Sequence, residues 1–483
     1  MSLSTALSIA QSALMNTARQ TSVVSRNVAD ASNPDYSRRQ AIVTSTAPGA
    51  RSVDIQRVTN DLLFRQNLGA LSAWSGQNAL FSGMDQLGVA VNGVDNASSP
   101  SSVIANLQQA LQLYATSPSN QNLGASVIDA AKQVVRSLNE GSKAVQDFRT
   151  QTDGQIATAV DDLNSLLSQF QDANTAVMTG TRSGNDVSDA LDQRDALLKK
   201  ISNYVPVSTF SRGDNDMVIT TGDGTTLFET IPRTVSFAAS AGYTAGAAGN
   251  AVYIDNVPIS AGAGGNTSAS GTLAGLLQLR DGVASTMQSQ LDETARGLIT
   301  AFAETAPSQP NKTGLFTWSG APAVPAAGTL VNGLAASISV NAVMDPSSGG
   351  NPTLLRDGGA NGAAYVANTG GASYSTLLIA YGDRLDQPMA FDPAAGVSAT
   401  SSVSDYAANS IGWFGGMRQQ ASTASDAKEA LASRSAEALS NATGVNVDQE
   451  MSLLLDLEHT YQASARMMKT VDDMMAALLN AVG

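Results

Sequence analysis

The two ends of this chain carry the same apolar rhythm, and few folds accommodate it. Leu3, Leu7, Ala10, Leu14, Thr17, Thr21, Val24, Val28 and Ala31 are spaced alternately by four and three residues. Leu454, Leu457, Tyr461, Ser464, Met468, Val471, Met475, Leu478 and Val482 alternate by three and four. Each series is a heptad seam that lays one stripe along a helix, ready for a partner helix. The ends also differ in charge. Residues 1–60 carry six Arg against three Asp, whereas residues 441–483 set Arg466 and Lys469 against Asp448, Glu450, Asp456, Glu458, Asp472 and Asp473. Matched seams of opposite charge predict that the two termini pair as a coiled coil. Everything between them is then a long insertion into one helical hairpin. That layout suits a part stacked into a tube better than a compact enzyme.

Composition narrows the class. With 27 Lys and Arg against 41 Asp and Glu, the net charge is −14, which argues against a nucleic-acid surface. No apolar run reaches the roughly 18 residues that a spanning helix needs, so no membrane insertion is expected. The first residues lack the positive start and apolar core of a cleaved signal peptide. There is no Cys, which excludes disulfides and thiolate chemistry and fits passage to an oxidising exterior.

Between the ends the texture changes twice. Residues 60–203 read as helical. Val127, Val134, Leu138, Val145 and Phe148 mark one stretch, and Ile156, Val160, Leu163, Leu167, Phe170, Asn174 and Val177 mark the next. Ser101 reads as the cap of a shorter helix through Val103, Ile104, Leu107, Leu111 and Tyr114. From 205 to 400 lie 26 of the 42 Gly, with short strand-like runs between turn residues. Those runs include Met217–Thr221, Ser337–Val340 and Ser375–Tyr381. A helical pattern through Leu276, Val283, Leu291, Leu298 and Phe302 interrupts them, and helix resumes near 403.

The expected fold is therefore mainly α with inserted β-rich domains, in an elongated, multi-domain chain. Residues 1–60 and 441–483 form a terminal helical domain, and 61–205, 270–312 and 403–440 a helical rod. Residues 206–269 form a β-rich outer domain, and 313–402 a β-rich or irregular outer insertion.

Catalytic and metal-binding patterns are missing. His459 is the lone histidine and lies within the C-terminal seam, so a Ser–His–Asp site would have to use it, and zinc sets built from Cys and His cannot form. No nucleophile-elbow, phosphate-loop or dinucleotide-binding pattern occurs. No cofactor is expected.

Three motifs carry more. Ser25-Arg-Asn-Val-Ala-Asp-Ala-Ser-Asn-Pro-Asp-Tyr-Ser-Arg-Arg39 ends the first helix at Pro34 and anchors the turn with Tyr36. In Gly444-Val-Asn-Val-Asp-Gln-Glu450, Gly444 closes one helix and Asn446 caps the next. Leu191-Asp-Gln-Arg-Asp195 reads alone as a charged helix turn, with Asp195 and Lys199 as an i,i+4 pair. The first stretch resembles the N-terminal signature of bacterial flagellar axial proteins (rod, hook and hook-associated), roughly N-x-A-N-x-x-T-P-G-Y. Asn27, Ala29, Pro34 and Tyr36 match it, while Asp30 and Asp35 stand where the pattern has Asn and Gly. The second resembles the C-terminal signature of the same proteins, followed by Tyr461-Gln-Ala463. The third, with Asp192, Arg194 and Asp195, resembles a segment of the hook-associated members. The resemblance covers residues 1–60, 150–205 and 440–483.

It implies a structural part of the bacterial flagellum, not an enzyme. Such a part sits extracellularly at the hook–filament junction and is exported by the flagellar type III route without a cleaved signal. Its implied partners are copies of itself in a ring or tube, the hook protein, hook-associated protein 3, and an export chaperone on its C-terminal region. The expected assembly seam is Leu7, Leu14, Val24 and Val28 with Leu454, Leu457, Tyr461, Met468, Val471, Met475, Leu478 and Val482. A flagellin-like or hook protein and a secreted adhesin are the alternative readings.

Overall fold

The computed structural model describes residues 3–46, 50–259, 261 and 269–482. Helix α1 (Leu3–Ala29) leads into a hairpin of β1 (Arg39–Thr46) and β2 (Ala50–Arg57). Four helices follow: α2 (Asp61–Asn92), α3 (Pro100–Thr116), α4 (Gln121–Arg182) and α5 (Ser188–Tyr204). Next come β3 (Val207–Ser211), β4 (Met217–Thr221), β5 (Thr226–Glu229) and β6 (Ile231–Pro232), then β7 (Val235–Ser236), β8 (Tyr253–Ile254) and β9 (Val257–Pro258). Helix α6 (Thr272–Leu277) runs through a π-helical turn at Gln278–Val283 into α7 (Ala284–Ala301). Short elements fill the next stretch: β10 (Phe316–Thr317), α8 (Leu334–Ser337), β11 (Ser339–Val340), α9 (Leu354–Asp357), α10 (Thr376–Asp386), β12 (Met389–Ala390) and β13 (Thr400–Ser401). Two long helices, α11 (Val403–Thr443) and α12 (Val447–Val482), end the chain. The fold is mainly helical with small antiparallel sheets. Among the described residues, no helix is long and apolar enough to cross a membrane.

The chain divides into two compact units. The first holds residues 1–74, 162–234 and 427–483. In it α1 packs along α12 and against both hairpin strands, joining the two ends as their matched seams predicted. Asn27 near the end of α1 touches Glu450 in the first turn of α12, so the two helices run antiparallel. Strands β3-β4-β5-β6 form an antiparallel sheet in sequence order. Phe228 of that sheet meets Phe170 of α4 edge-on, with ring centroids 4.9 Å apart.

The second unit holds residues 75–161 and 235–426. The α4 seam residues Val127, Val134, Leu138, Val145, Phe148, Ile156 and Val160 are all buried, as their helical spacing requires. Much of the remaining chain is irregular and is held by buried charges. Asp153 accepts from the Ser240 N–H at 2.6 Å and pairs with Arg280, which also donates to Asn250 O at 2.7 Å. Asp292 accepts from the Gly333 and Ala335 N–H groups at 2.9 and 2.8 Å, and burial pushes its carboxyl up to about 6. Such buried carboxylates persist because backbone donors replace lost water.

Two local expectations change. The cap of α3 is Ser99, whose side chain accepts from Ser102 N, with Pro100 in the first turn where its missing N–H costs nothing. Ser101, the expected cap, lies inside the helix. Ser375–Tyr381, expected as a strand, enters α10, because Leu378, Tyr381 and Leu385 place a buried stripe at helical spacing. Tyr381 then stacks on Phe302, with centroids 5.1 Å apart.

Helix α6 approaches α2 closely through two glycines: a Cβ at Gly275 would lie 2.5 Å from the Gly76 carbonyl oxygen. Gly275→Ala should therefore destabilise the chain by about 1–3 kcal/mol. Gly154, within α4, has open space around its position, so Gly154→Ala should stabilise by about 0.5–1 kcal/mol. Thermal melting of the two variants checks the opposite signs.

Candidate functional site

Asn27, on the last turn of α1, is buried and uses its whole amide. Its Nδ2 donates to Arg39 O at 2.9 Å and to Glu450 Oε2 at 3.0 Å. Its Oδ1 accepts from the Tyr36 hydroxyl at 2.8 Å and from the Arg39 N–H at 3.1 Å. Two donors and two acceptor lone pairs are all that an amide offers. Arg38 completes the Glu450 carboxylate, with Nε donating to Oε1 at 2.6 Å, and its N–H donates to Thr443 O at 2.7 Å. The N-terminal turn is thus bolted to the start of α12. Burial pushes the Tyr36 hydroxyl up to about 12, despite Arg39, whose guanidinium lies 4.7 Å over the ring.

The local chain explains why these groups meet. Pro34 and Asn33, whose Oδ1 accepts from Asp35 N at 3.0 Å, turn the backbone after α1. Asp35, which stands where the family pattern has Gly, keeps a negative φ and pairs with Lys199 at 2.8 Å. Asn446 caps α12 by accepting from Gln449 N at 3.1 Å, as its position predicted. Gly444 is needed for closeness rather than for a left-handed turn: a Cβ there would lie 2.5 Å from Ser440 O.

The third motif joins from α5. Arg39 and Arg57 stand directly opposite each other at the root of the β1–β2 hairpin, a like-charge pair that alone would repel. Asp192 sits between them, its Oδ2 3.0 Å from Arg39 Nη2 and its Oδ1 2.7 Å from Arg57 Nε. Asp189 also pairs with Arg39, and Asp195 with Arg57. Burial pushes the Asp192 carboxyl up, and Arg57 and Arg39 oppose the shift.

Arg194 faces the other way. It is buried and donates to Asn174 Oδ1 of α4 at 3.0 Å and to Asn215 O at 2.6 Å. Asn174 also accepts from Met217 N at 3.1 Å and donates to Asp216 at 2.8 Å, so this polar member of the α4 seam is a junction between helix and sheet. The expected Asp195–Lys199 pair does not form, because Arg57 and Asp35 take those two charges.

The structure thus brings Asn27, Tyr36, Asp192, Asp195 and Glu450 together through Arg38, Arg39 and Arg57. Pro34, Gly444 and Asn446 shape the turns beside them. The three arginines and Glu450 were not among the expected site residues. Arg38, Arg39 and Glu450 lay inside the recognised motifs; Arg57 carried no local signal.

Of the terminal seam, Val24, Leu457 and Val471 are buried and Leu7, Leu14, Val28, Leu454, Met468 and Met475 half-buried. Tyr461 and Leu478 are exposed, and the side chain of Val482 lies outside the described residues. Leu453, Met467 and Met474, which flank the seam at seven-residue multiples, are also exposed. His459 is exposed on α12.

A family model described as the flagellar hook-associated protein FlgK helical domain matches residues 86–308. One described as the flagellar basal body rod FlgEFG protein C-terminal matches residues 438–481. The chain is similar to flagellar hook-associated protein 1 of Bacillus subtilis (strain 168), at 22% identity over 520 residues, covering 99% of this chain and 97% of that protein. Among solved structures it is similar to the flagellar hook junction protein FlgK from Burkholderia pseudomallei, with a TM-score of 0.57 and 14% identity, over 77% of this chain and 99% of that one. Fold, motifs and relatives define a structural protein of the flagellum that assembles with axial components. The chain is a flagellar hook-associated structural protein, similar to flagellar hook-associated protein 1.

Asn27→Ala strips a partner from Glu450, from the Tyr36 hydroxyl and from the Arg39 backbone at once. It should cost about 3 kcal/mol in thermal melting. Arg194→Ala leaves Asn215 O short of its donor and should cost about 1–3 kcal/mol. Exposed Lys200→Ala should stay within about 0.5 kcal/mol, and an equal shift for the two would make Arg194 a solvated residue.

Proposed function

We propose that this chain is the junction piece that joins the flagellar hook to the filament, acting as a structural part and not as an enzyme. The observation that carries the reading is the convergence of all three signature motifs on one buried polar knot. That knot clamps the two termini, the β1–β2 hairpin and α5 into a single block. A block of that kind transmits load, and a half-exposed terminal helix pair leaves apolar surface for neighbours.

In this reading residues 1–60 and 441–483 line an inner tube of identical subunits. Residues 61–205, 270–312 and 403–440 form the rod layer, and 206–269 and 313–402 face outward. Leu457 and Val471 hold α12 to α1 within the chain, while Tyr461, Leu478 and their exposed neighbours meet adjacent subunits. The ring contacts the hook protein on one side and hook-associated protein 3 on the other. The chain reaches its extracellular place by flagellar export without a cleaved signal, with a chaperone on its C-terminal region.

Leu478 is 56% exposed, so Leu478→Asp should change stability by less than about 0.5 kcal/mol yet place a charge on a dry subunit interface. Purified Leu478→Asp protein added to isolated hooks should fail to support filament growth. Cells lacking the chain should carry bare hooks and shed flagellin. A Leu478→Asp protein that joins hooks as well as the parent does would remove the inner-tube assignment.

A further inference from the structure

Helix α12 holds five of the chain's 14 Met: Met451, Met467, Met468, Met474 and Met475. They are not equivalent. Met467 and Met474 are 60% and 48% exposed, and Met15 on α1 is 61% exposed. Their neighbours Met468 and Met475, on the seam itself, are half-buried, whereas Met84 and Met344 are fully buried. With no Cys in the chain, these thioethers are its only sulfurs. Leu would fill the same positions without a reactive sulfur.

We propose that Met467 and Met474 form an oxidation site whose conversion to sulfoxide blocks subunit joining; this rests on the junction reading above. The co-reactant is a peroxide. The sulfur lone pair attacks one peroxide oxygen, the O–O bond breaks, and the departing oxygen takes the remaining proton and leaves as water. Sulfur loses two electrons and the peroxide gains them. The product puts a polar S=O on the face that otherwise meets a neighbour, seven residues apart and so on the same side of the helix. The buried knot at the other end of the helix pair contains no sulfur, so the chain stays folded while its contact face changes. Reduction of the sulfoxide restores the thioether, which makes the block reversible.

The full-length chain is treated with hydrogen peroxide, mapped by peptide mass spectrometry, and added to isolated hooks. Sulfoxide should appear at Met15, Met467 and Met474 at least about tenfold faster than at Met84 and Met344. The oxidised chain should lose hook joining, and methionine sulfoxide reductase should restore it. Peroxide should leave the hook joining of a Met467→Leu/Met474→Leu chain at that variant's own untreated level. Equal oxidation of exposed and buried Met, or an oxidised parent that still joins, overturns this inference and leaves the junction reading standing. Loss of joining by the oxidised double variant also overturns it, by moving the effect to another Met. An untreated parent that does not join hooks overturns the junction reading and this inference together.

Discussion

The structure depends first on the buried Glu450 carboxylate and the Asn27 amide that meets it. A carboxylate without water is costly, and its partners here come from residues 27 and 38, more than 400 positions away in the chain. The same amide holds the Tyr36 hydroxyl and both backbone groups of Arg39. Apolar seams alone would tolerate sliding by a heptad, since each repeat looks like the next. A fully used amide against a buried carboxylate allows one register, the role best attested for polar groups in helix pairs. It sits where α1 ends and α12 begins, so it also sets their antiparallel sense.

From that point the constraint spreads through charge. The Arg38 and Arg39 backbone leads out of the knot into the hairpin, and Arg39 faces Arg57 across its root. Asp192 removes the repulsion by standing between them, which ties a two-stranded hairpin, marginal by itself, to α5. Arg194, two residues on, reaches the opposite side and engages Asn174. Neighbouring residues of one short motif thus address different elements. Asp192 and Asp195 serve the hairpin, and Arg194 serves α4 and the turn between β3 and β4.

The second unit meets a different problem with the same means. Strands of two residues supply few ladder bonds, so its irregular chain is fastened by buried side chains such as Asp153, Arg280 and Asp292. Glu304 does likewise, accepting from the Ala360 and Asn361 N–H groups at 2.9 and 3.0 Å. Each places a full charge on backbone donors or acceptors that no regular sheet satisfies.

The long helices and the pairing of the ends were legible in the sequence, because periodicity is a local property and each seam repeats over several turns. The caps at Asn446 and the turn at Pro34 were legible for the same reason: their chemistry acts within four residues. The flagellar class was legible in Asn27, Tyr36 and Gly444-Val-Asn-Val-Asp, although nothing local says that Asn27 binds Glu450. What only the tertiary structure decided is which charges meet. Asp195 has Lys199 at helical spacing and still pairs with Arg57, because the hairpin brings a guanidinium to a half-buried site while Lys199 reaches Asp35 instead. Ser375–Tyr381 became helix because Leu378, Tyr381 and Leu385 found buried neighbours along one face. Likewise the terminal seam reads as one continuous stripe, yet Leu457 is buried and Leu478 is exposed. A heptad fixes which side of a helix is apolar; the length of the partner helix and the knot that sets its register determine how far along that side it is covered.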